Sequence, residues 1–300
     1  MPSIPVSVVI ATRDRPALVE AALGAVRCSL RPGDEVIVVD SASDPPAADA
    51  TAAVATEAGA RLVRCDQPGT CRARNAGARA ASAPIVAFTD DDCLPEPGWV
   101  QAVAEVFARH AGLGFLTGAV VAGPRADGTS PTGLTLSTLT GGSPRAFGAG
   151  EEPDALGHGA NMAWDRAALL AMGGFDEAFG PGAPLRAAED HEAFWRALRT
   201  GLAGRYEPAA VVVHSQWRGT WGQMRSYYGY GMGSAGLFAK RARTEAGLPT
   251  EGGYLWASGM APIGRALSKG YQRGAAAEAA KLVGMVHGLV RSRRLEGRHR

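Results

Sequence analysis

VAFTDDDCLPEPGW, residues 86–99, carries an apolar, strand-like run straight into three consecutive carboxylates, Asp90, Asp91 and Asp92, and then through two prolines to Trp99. Adjacent ionised carboxylates repel one another and resist removal from water unless something positive meets them. Asp, Pro and Gly are also ordinary turn formers. On these residues alone a solvated turn and an oxygen-ligand site for a divalent cation are both open.

Working outward, Val6 to Ala11 is a short β-branched run bounded by Pro5 and the polar TRDRP, the pattern of a strand buried on both faces. PALVEAALGAV follows, with Pro16 at a helix start and Leu18, Ala22, Leu23 and Val26 at helical spacing. DEVIVVDSAS predicts a second strand ending at Asp40, residues 47–58 a second helix, ARLVRC a third strand, TCRARNAGARAAS a helix and PIVAFTD a fourth strand. Alternating short strands and helices imply parallel βαβ units in a doubly wound sheet with helices on both faces. Ligands of such sheets bind beyond the carboxyl ends of the strands. Thr12, Asp14, Asp40 and Asp90 to Asp92 all fall at such ends.

GWVQAVAEVFARH then reads as an amphipathic helix and LGFLTGAVVAG as a strand, after which regularity fails. Residues 124–158, rich in Gly, Ser, Thr and Pro, predict a long loop, a candidate lid. Order returns in HGANMAWDRAALLAMGGFDEAF, where Asp165 can cap a helix that stops at Gly173 and Gly174. AAEDHEAFWRALRTG predicts a helix with Glu189 and Asp190 in its first turn, where the helix dipole alone also favours acids. YEPAAVVVHSQW predicts a strand closing at His214, and the segment from Thr220 onward is helical.

The 300-residue chain is long enough to bury a large core without staples. A net charge of +2 gives no global argument for a nucleic-acid partner. Cys28, Cys65, Cys71 and Cys93 form no CxxC pair, which fits reduced thiols in the cytoplasm and implies no zinc site. The apolar run near the N-terminus is short and ends in charge, and reads as neither signal peptide nor membrane span. Between Arg265 and Arg300 basic residues far outnumber Glu278 and Glu296. Residues 273–290 can form an amphipathic helix: packed or solvated in one reading, and adsorbed on anionic lipid at the inner face of the membrane in the other.

Two nucleotide signatures are missing, a GxGxxG after the first strand and a GxxxxGK[ST] anywhere. A metal bridging a diphosphate would take the place of a glycine cradle, with Asp92 supplying hard oxygen to Mg²⁺ or Mn²⁺.

SVVIATRDRP, VIVVDSAS, GTCRARNAGARAA, IVAFTDDDCLPEPGW, HGANMAWDRAALLAMGGFDEAF and AAEDHEAFWRALRTG occur in an order that resembles family 2 of the inverting glycosyltransferases, over about residues 4–218. The resemblance implies the GT-A fold, a Rossmann-like α/β architecture with a mixed, mostly parallel sheet and helices on both faces. It also implies a nucleoside-diphosphate sugar donor, Mn²⁺ or Mg²⁺, and sugar transfer to an acceptor hydroxyl with inversion. Carried over by residue, it assigns Thr12 and Asp40 to the nucleoside, Arg74 to the nucleotide, Asp90 to ribose or donor sugar and Asp92 to the metal, with Asp91 between them adding charge. It places Gly159, Ala160 and Asn161 at the sugar pocket, Glu189 and Asp190 at the catalytic pair with Asp190 as general base, and His214 where some members complete the metal shell. A lone histidine after an apolar strand is more often structural, so both roles stay open for His214.

The second strand ends VDSASDP where many members have VDDGSxD, and no QxxRW follows the Glu-Asp pair. A transferase of single sugars therefore fits better than a chain-extruding synthase. The domains expected are 1–218, catalytic, and 219–300, a helical extension facing acceptor or membrane. Two alternatives remain: a degenerate module that binds nucleotide or glycan without catalysis, and a sugar-nucleotide nucleotidyltransferase, whose lysine-bearing glycine loop is absent from ATRDRP. Trp195 is expected in the core, while Trp217 and Trp221 stay open between core and sugar stacking.

Overall fold

The computed structural model describes residues 4–123, 138–148, 150–215 and 217–296. By their contacts these fall into two compact units: 4–123, 138–176 and 190–215 in the first, 177–189 and 217–296 in the second. The second unit thus joins the excursion 177–189 to the chain from 217 onward.

Strands β1 (Val6–Thr12), β2 (Glu35–Ser41), β3 (Arg61–Cys65) and β4 (Ile85–Asp90) alternate with helices α1 (Pro16–Arg27), α2 (Pro45–Glu57) and α3 (Thr70–Ala80). All three strand pairs within this block are parallel, in the order β3-β2-β1-β4. Side-chain alternation explains the layering. Val6, Val8 and Ile10 join Val19, Leu23 and Val26 of α1 in one core. Val9 and the β2 residues Ile37 and Val39 turn the other way, onto Ala73 and Ala78 of α3. Edge strand β3 is largely exposed and carries Arg61 and Arg64, charges that discourage pairing with another chain.

Beyond the parallel βαβ block the sheet becomes mixed, as the resemblance to the GT-A fold implies. It continues through β8 (Asn161–Asp165), β6 (Leu113–Ala122) and β9 (Ala203–His214) to the three-residue β5 (Cys93–Pro95), with β7 (Arg145–Ala146) added to β9. β8 runs antiparallel between β4 and β6, and β5 antiparallel to β9 with Cys93 opposite His214. No local period announces a strand as short as β5; its hydrogen bonds come from a partner about 120 residues away.

Helix α4 (Trp99–Arg109) packs under this half of the sheet, and α5 (Arg166–Ala171) is capped as expected, Ala168 N–H donating to Asp165 at 2.8 Å. Helix α6 (Glu189–Arg199) places Trp195 in the core. Of the expected 124–158 loop, 124–137 and 149 lie outside the described residues; the rest holds a bridge from Leu139 to Val120, β7 and a 3₁₀ turn at Pro153–Ala155.

The second unit is helical: α7 (Thr220–Arg241), α8 (Glu251–Leu255), a π turn, α9 (Ala261–Ser268) and α10 (Gln272–Glu296). Helices α7 and α10 meet backbone to backbone at Gly231, Gly284 and Gly288, where a Cβ would strike a carbonyl of the facing helix. Met285 and Leu289 of α10 pack with Ala235 and Phe238 of α7. Among the described residues no helix is long and apolar enough to cross a membrane.

Candidate active site

The parallel register sets Thr12 beside Asp40 and Ala11 beside Asp90, so the carboxyl ends of β1, β2 and β4 form one edge. The three aspartates that follow part company there. Asp90 keeps about a third of its side chain exposed and accepts from Arg74 Nη2 at 2.8 Å. Arg74, on α3, is buried rather than solvated and also reaches the Gly159 carbonyl at 3.3 Å. A Cβ at Gly159 would press on that guanidinium at 3.0 Å, which accounts for glycine there.

Asp91 turns inward. It accepts from the Thr12 hydroxyl at 2.6 Å and pairs with Arg15 Nε at 3.1 Å. Burial, opposed by Arg15, pushes its carboxyl up to about 7. The Thr12 and Asp91 side chains thus form a buried tie between the ends of β1 and β4. Asp40 is buried at the end of β2, accepting from Ser43 N–H at 3.1 Å with Arg64 Nε 3.8 Å away.

Asp92 faces the β5–β9 pair. Its Oδ1 lies 3.4 Å from His214 Nε2, and its carbonyl accepts from Ser215 N–H at 2.8 Å. His214 Nδ1 is buried and has no hydrogen-bond partner among the described residues. Asp92, Cys93 and His214 bring their ligand atoms within 4.8 Å of one another. Burial and the neighbouring aspartates push the Cys93 thiol well up, so carboxylate and imidazole are the better donors. This pair fits a small divalent cation.

Asp190 stands in the first turn of α6. Its Oδ2 accepts from Gly159 N–H at 2.6 Å and its Oδ1 from His191 N–H at 2.8 Å. Burial alone would raise its pKa, but His191, His158, Arg74 and the Gly159 N–H together hold the carboxyl below the ordinary value. Neighbouring helix residues point about 100° apart, and Glu189 is instead buried against Gly180. A chain of contacts thus runs Asp90, Arg74, Gly159, Asp190.

Asn161, which the family resemblance places at the sugar pocket, is buried at the start of β8. Its amide donates to the carbonyls of Ala119 and Ala210, both at 2.8 Å, and its oxygen accepts from Trp99 Nε1 at 2.8 Å. The β6–β9 register slips between Gly118 and Ala119, and Asn161 stitches that irregularity. Conversely, Arg15, His158 and His191 escaped the sequence reading. Each sits within a quoted motif, in TRDRP, HGAN and EDHE, without a spacing that marks it.

The sequence from residue 7 to 160 matches the family described as Glycosyl transferase family 2. The chain belongs to that family. This family 2 chain is 31% identical over 212 residues to the pre-mycofactocin glycosyltransferase of Mycobacterium tuberculosis, covering 67% of the chain and 42% of the relative. It is 39% identical over 110 residues to the validoxylamine A glucosyltransferase of Streptomyces hygroscopicus subsp. limoneus, covering 35% of the chain and 24% of the relative. The chain thus spans less than half the length of these curated relatives.

Among solved structures it is similar to the mannosyltransferase PcManGT of Pyrobaculum calidifontis in complex with GDP-Man and Mn²⁺, with TM-score 0.63, 22% identity, and coverage of 95% of this chain and 86% of that one. GalNAc-T7 with UDP, GalNAc and Mn²⁺ superposes with TM-score 0.55 at 15% identity, covering 83% and 52%. These likenesses show the GT-A fold.

Proposed function

We propose that the chain is a metal-dependent inverting glycosyltransferase that moves one sugar from a nucleoside-diphosphate sugar to an acceptor hydroxyl. The observation that carries this is the placement of Asp190 in the first turn of α6, linked through Gly159 and Arg74 to Asp90 at the strand edge. Asp40 would read the base, Arg74 would face the nucleotide, Asp90 would orient ribose or donor sugar, and Asp92 with His214 would hold Mn²⁺ or Mg²⁺. The cation, when bound, neutralises charge on the departing diphosphate.

Asp190 accepts the acceptor's hydroxyl proton as the hydroxyl oxygen bonds to the anomeric carbon and the bond from that carbon to the diphosphate oxygen breaks. The solved neighbours, holding Mn²⁺ with GDP-Man or with UDP and GalNAc, agree with this reading. The basic residues near the C-terminus add a peripheral contact of 273–300 with anionic lipid on the cytoplasmic face.

Asp190→Asn tests the assignment. Transfer should fall about 10²–10⁴-fold, while nucleoside diphosphate binding by calorimetry stays within about threefold, less than 1 kcal/mol. Equal loss of both would sink the base role.

A further inference from the structure

We infer that the second unit carries a binding site for a phosphate-type anion, separate in residues and chemistry from the proposed transfer site. A cavity of about 550 Å³ opens between residues 182–186 and the facing sides of α7 and α10. Arg186, Arg291, Arg294 and His287 line it, with Tyr228. Among the described residues none of the three guanidinium groups has a carboxylate within 4.0 Å; the salt bridges of α10 are made by its neighbours Arg293, to Glu251, and Lys281, to Glu278.

Exposed arginines are ordinarily just solvated, so the arrangement matters more than their number. Arg186 has φ +57°, a left-handed backbone uncommon outside glycine, and its guanidinium lies 5.5 Å from the centre of the Tyr228 ring. The Tyr228 hydroxyl meets His287 Nδ1 at 2.8 Å, joining α7 to α10 at the cavity wall. Three forked cations around one opening, with no carboxylate counter-ion among the described residues, suit a ligand with several acceptor oxygens, the geometry of a phosphoryl group. Residues 217–300 hold fourteen Lys and Arg against four acids, so the surrounding field favours the same anion. Arg186 also lines an adjoining cavity of about 700 Å³ with Trp217 and Tyr230, room for the organic part of a phosphorylated ligand.

The test uses the full chain in EDTA at low ionic strength, titrated with inorganic phosphate and with glycerol 3-phosphate by calorimetry. One site per chain is expected. Arg291→Gln/Arg294→Gln should weaken it about tenfold or more, and Asp92→Asn should leave it unchanged. Arg294→Gln alone, at an exposed position, should weaken it several-fold and serves if the double variant does not fold.

Co-sedimentation with phosphatidylcholine vesicles, with and without phosphatidic acid, separates the sources. Binding that needs phosphatidic acid and is lost in the variants identifies a lipid headgroup. Binding of the soluble phosphates without vesicle binding identifies a soluble phosphorylated ligand. Absence of both, equal binding by folded variants, or loss on Asp92→Asn would overturn the inference.

Discussion

Asp91 and Asp92 are chain neighbours with opposite surroundings, and the difference sets their chemistry. Asp92 faces an imidazole at 3.4 Å, whereas Asp91 is shut between Thr12 and Arg15 with its carboxyl pushed up to about 7. An unfolded chain ionises this group near the ordinary value of about 3.9. Between those limits the folded protein holds a proton that the unfolded chain has released, so stability falls as pH rises through the window and levels off above it. Each pH unit costs at most about 1.4 kcal/mol. Asp91→Asn keeps the acceptor for Thr12 and removes the titration. In metal-free protein its melting temperature should approach or exceed that of the parent at pH 8, and the advantage should shrink towards pH 5. A pH-independent difference between the two would refute the assignment of the buried titration to Asp91.

Helices α7 and α10 show how an element can be specified by what it lacks. Gly284 faces the Tyr228 carbonyl so closely that a methyl group would force the helices apart, whereas Gly264 of α9 has nothing within 4 Å of a built Cβ. Gly284→Ala should therefore lower stability by about 1–3 kcal/mol despite the better helix propensity of alanine. Gly264→Ala should raise it by about 0.5–1 kcal/mol. Urea melts of both variants check the contrast; equal effects would mean that the close approach is not there. The same dependence on partners decides what the sequence reveals. Strands β1 to β4 and helix α6 are legible because burial writes a period of two or 3.6 into their residues. Strand β5 and the antiparallel placement of β8 are not, because their hydrogen bonds answer to distant segments. The site follows the same rule. Asp90, Asp92 and Asp190 stand out as charge where a strand ends or a helix begins. The inward turn of Asp91, the Asn161 stitch across β6 and β9 and the burial of Arg74 depend on tertiary packing that no local spacing encodes.

For the whole molecule, charge is divided along the chain: residues 217–300 are strongly basic, and residues 1–216 carry the compensating excess of acid. On the proposed reading, the acids at the sheet edge, only partly offset by Arg15, Arg64 and Arg74, favour a nucleoside diphosphate whose charge is met by a divalent cation. Stabilisation by nucleotide should consequently require metal. A ligand bound only by the folded state at a hundredfold its dissociation constant adds about 2.7 kcal/mol, worth roughly 2–4 °C per kcal/mol for a chain of this order. Screening UDP, GDP, dTDP, ADP and CDP with and without Mn²⁺ by thermal shift should give such an increase for one base, and only with the metal present. Asp92→Asn should abolish it, and His214→Ala should raise the Mn²⁺ concentration needed for half the effect about tenfold or more, as loss of one ligand of the shell demands. Equal stabilisation in EDTA would remove the cation from the site. A response to metal that His214→Ala leaves unchanged would return that histidine to a structural role and leave Asp92 to hold the ion with other oxygens.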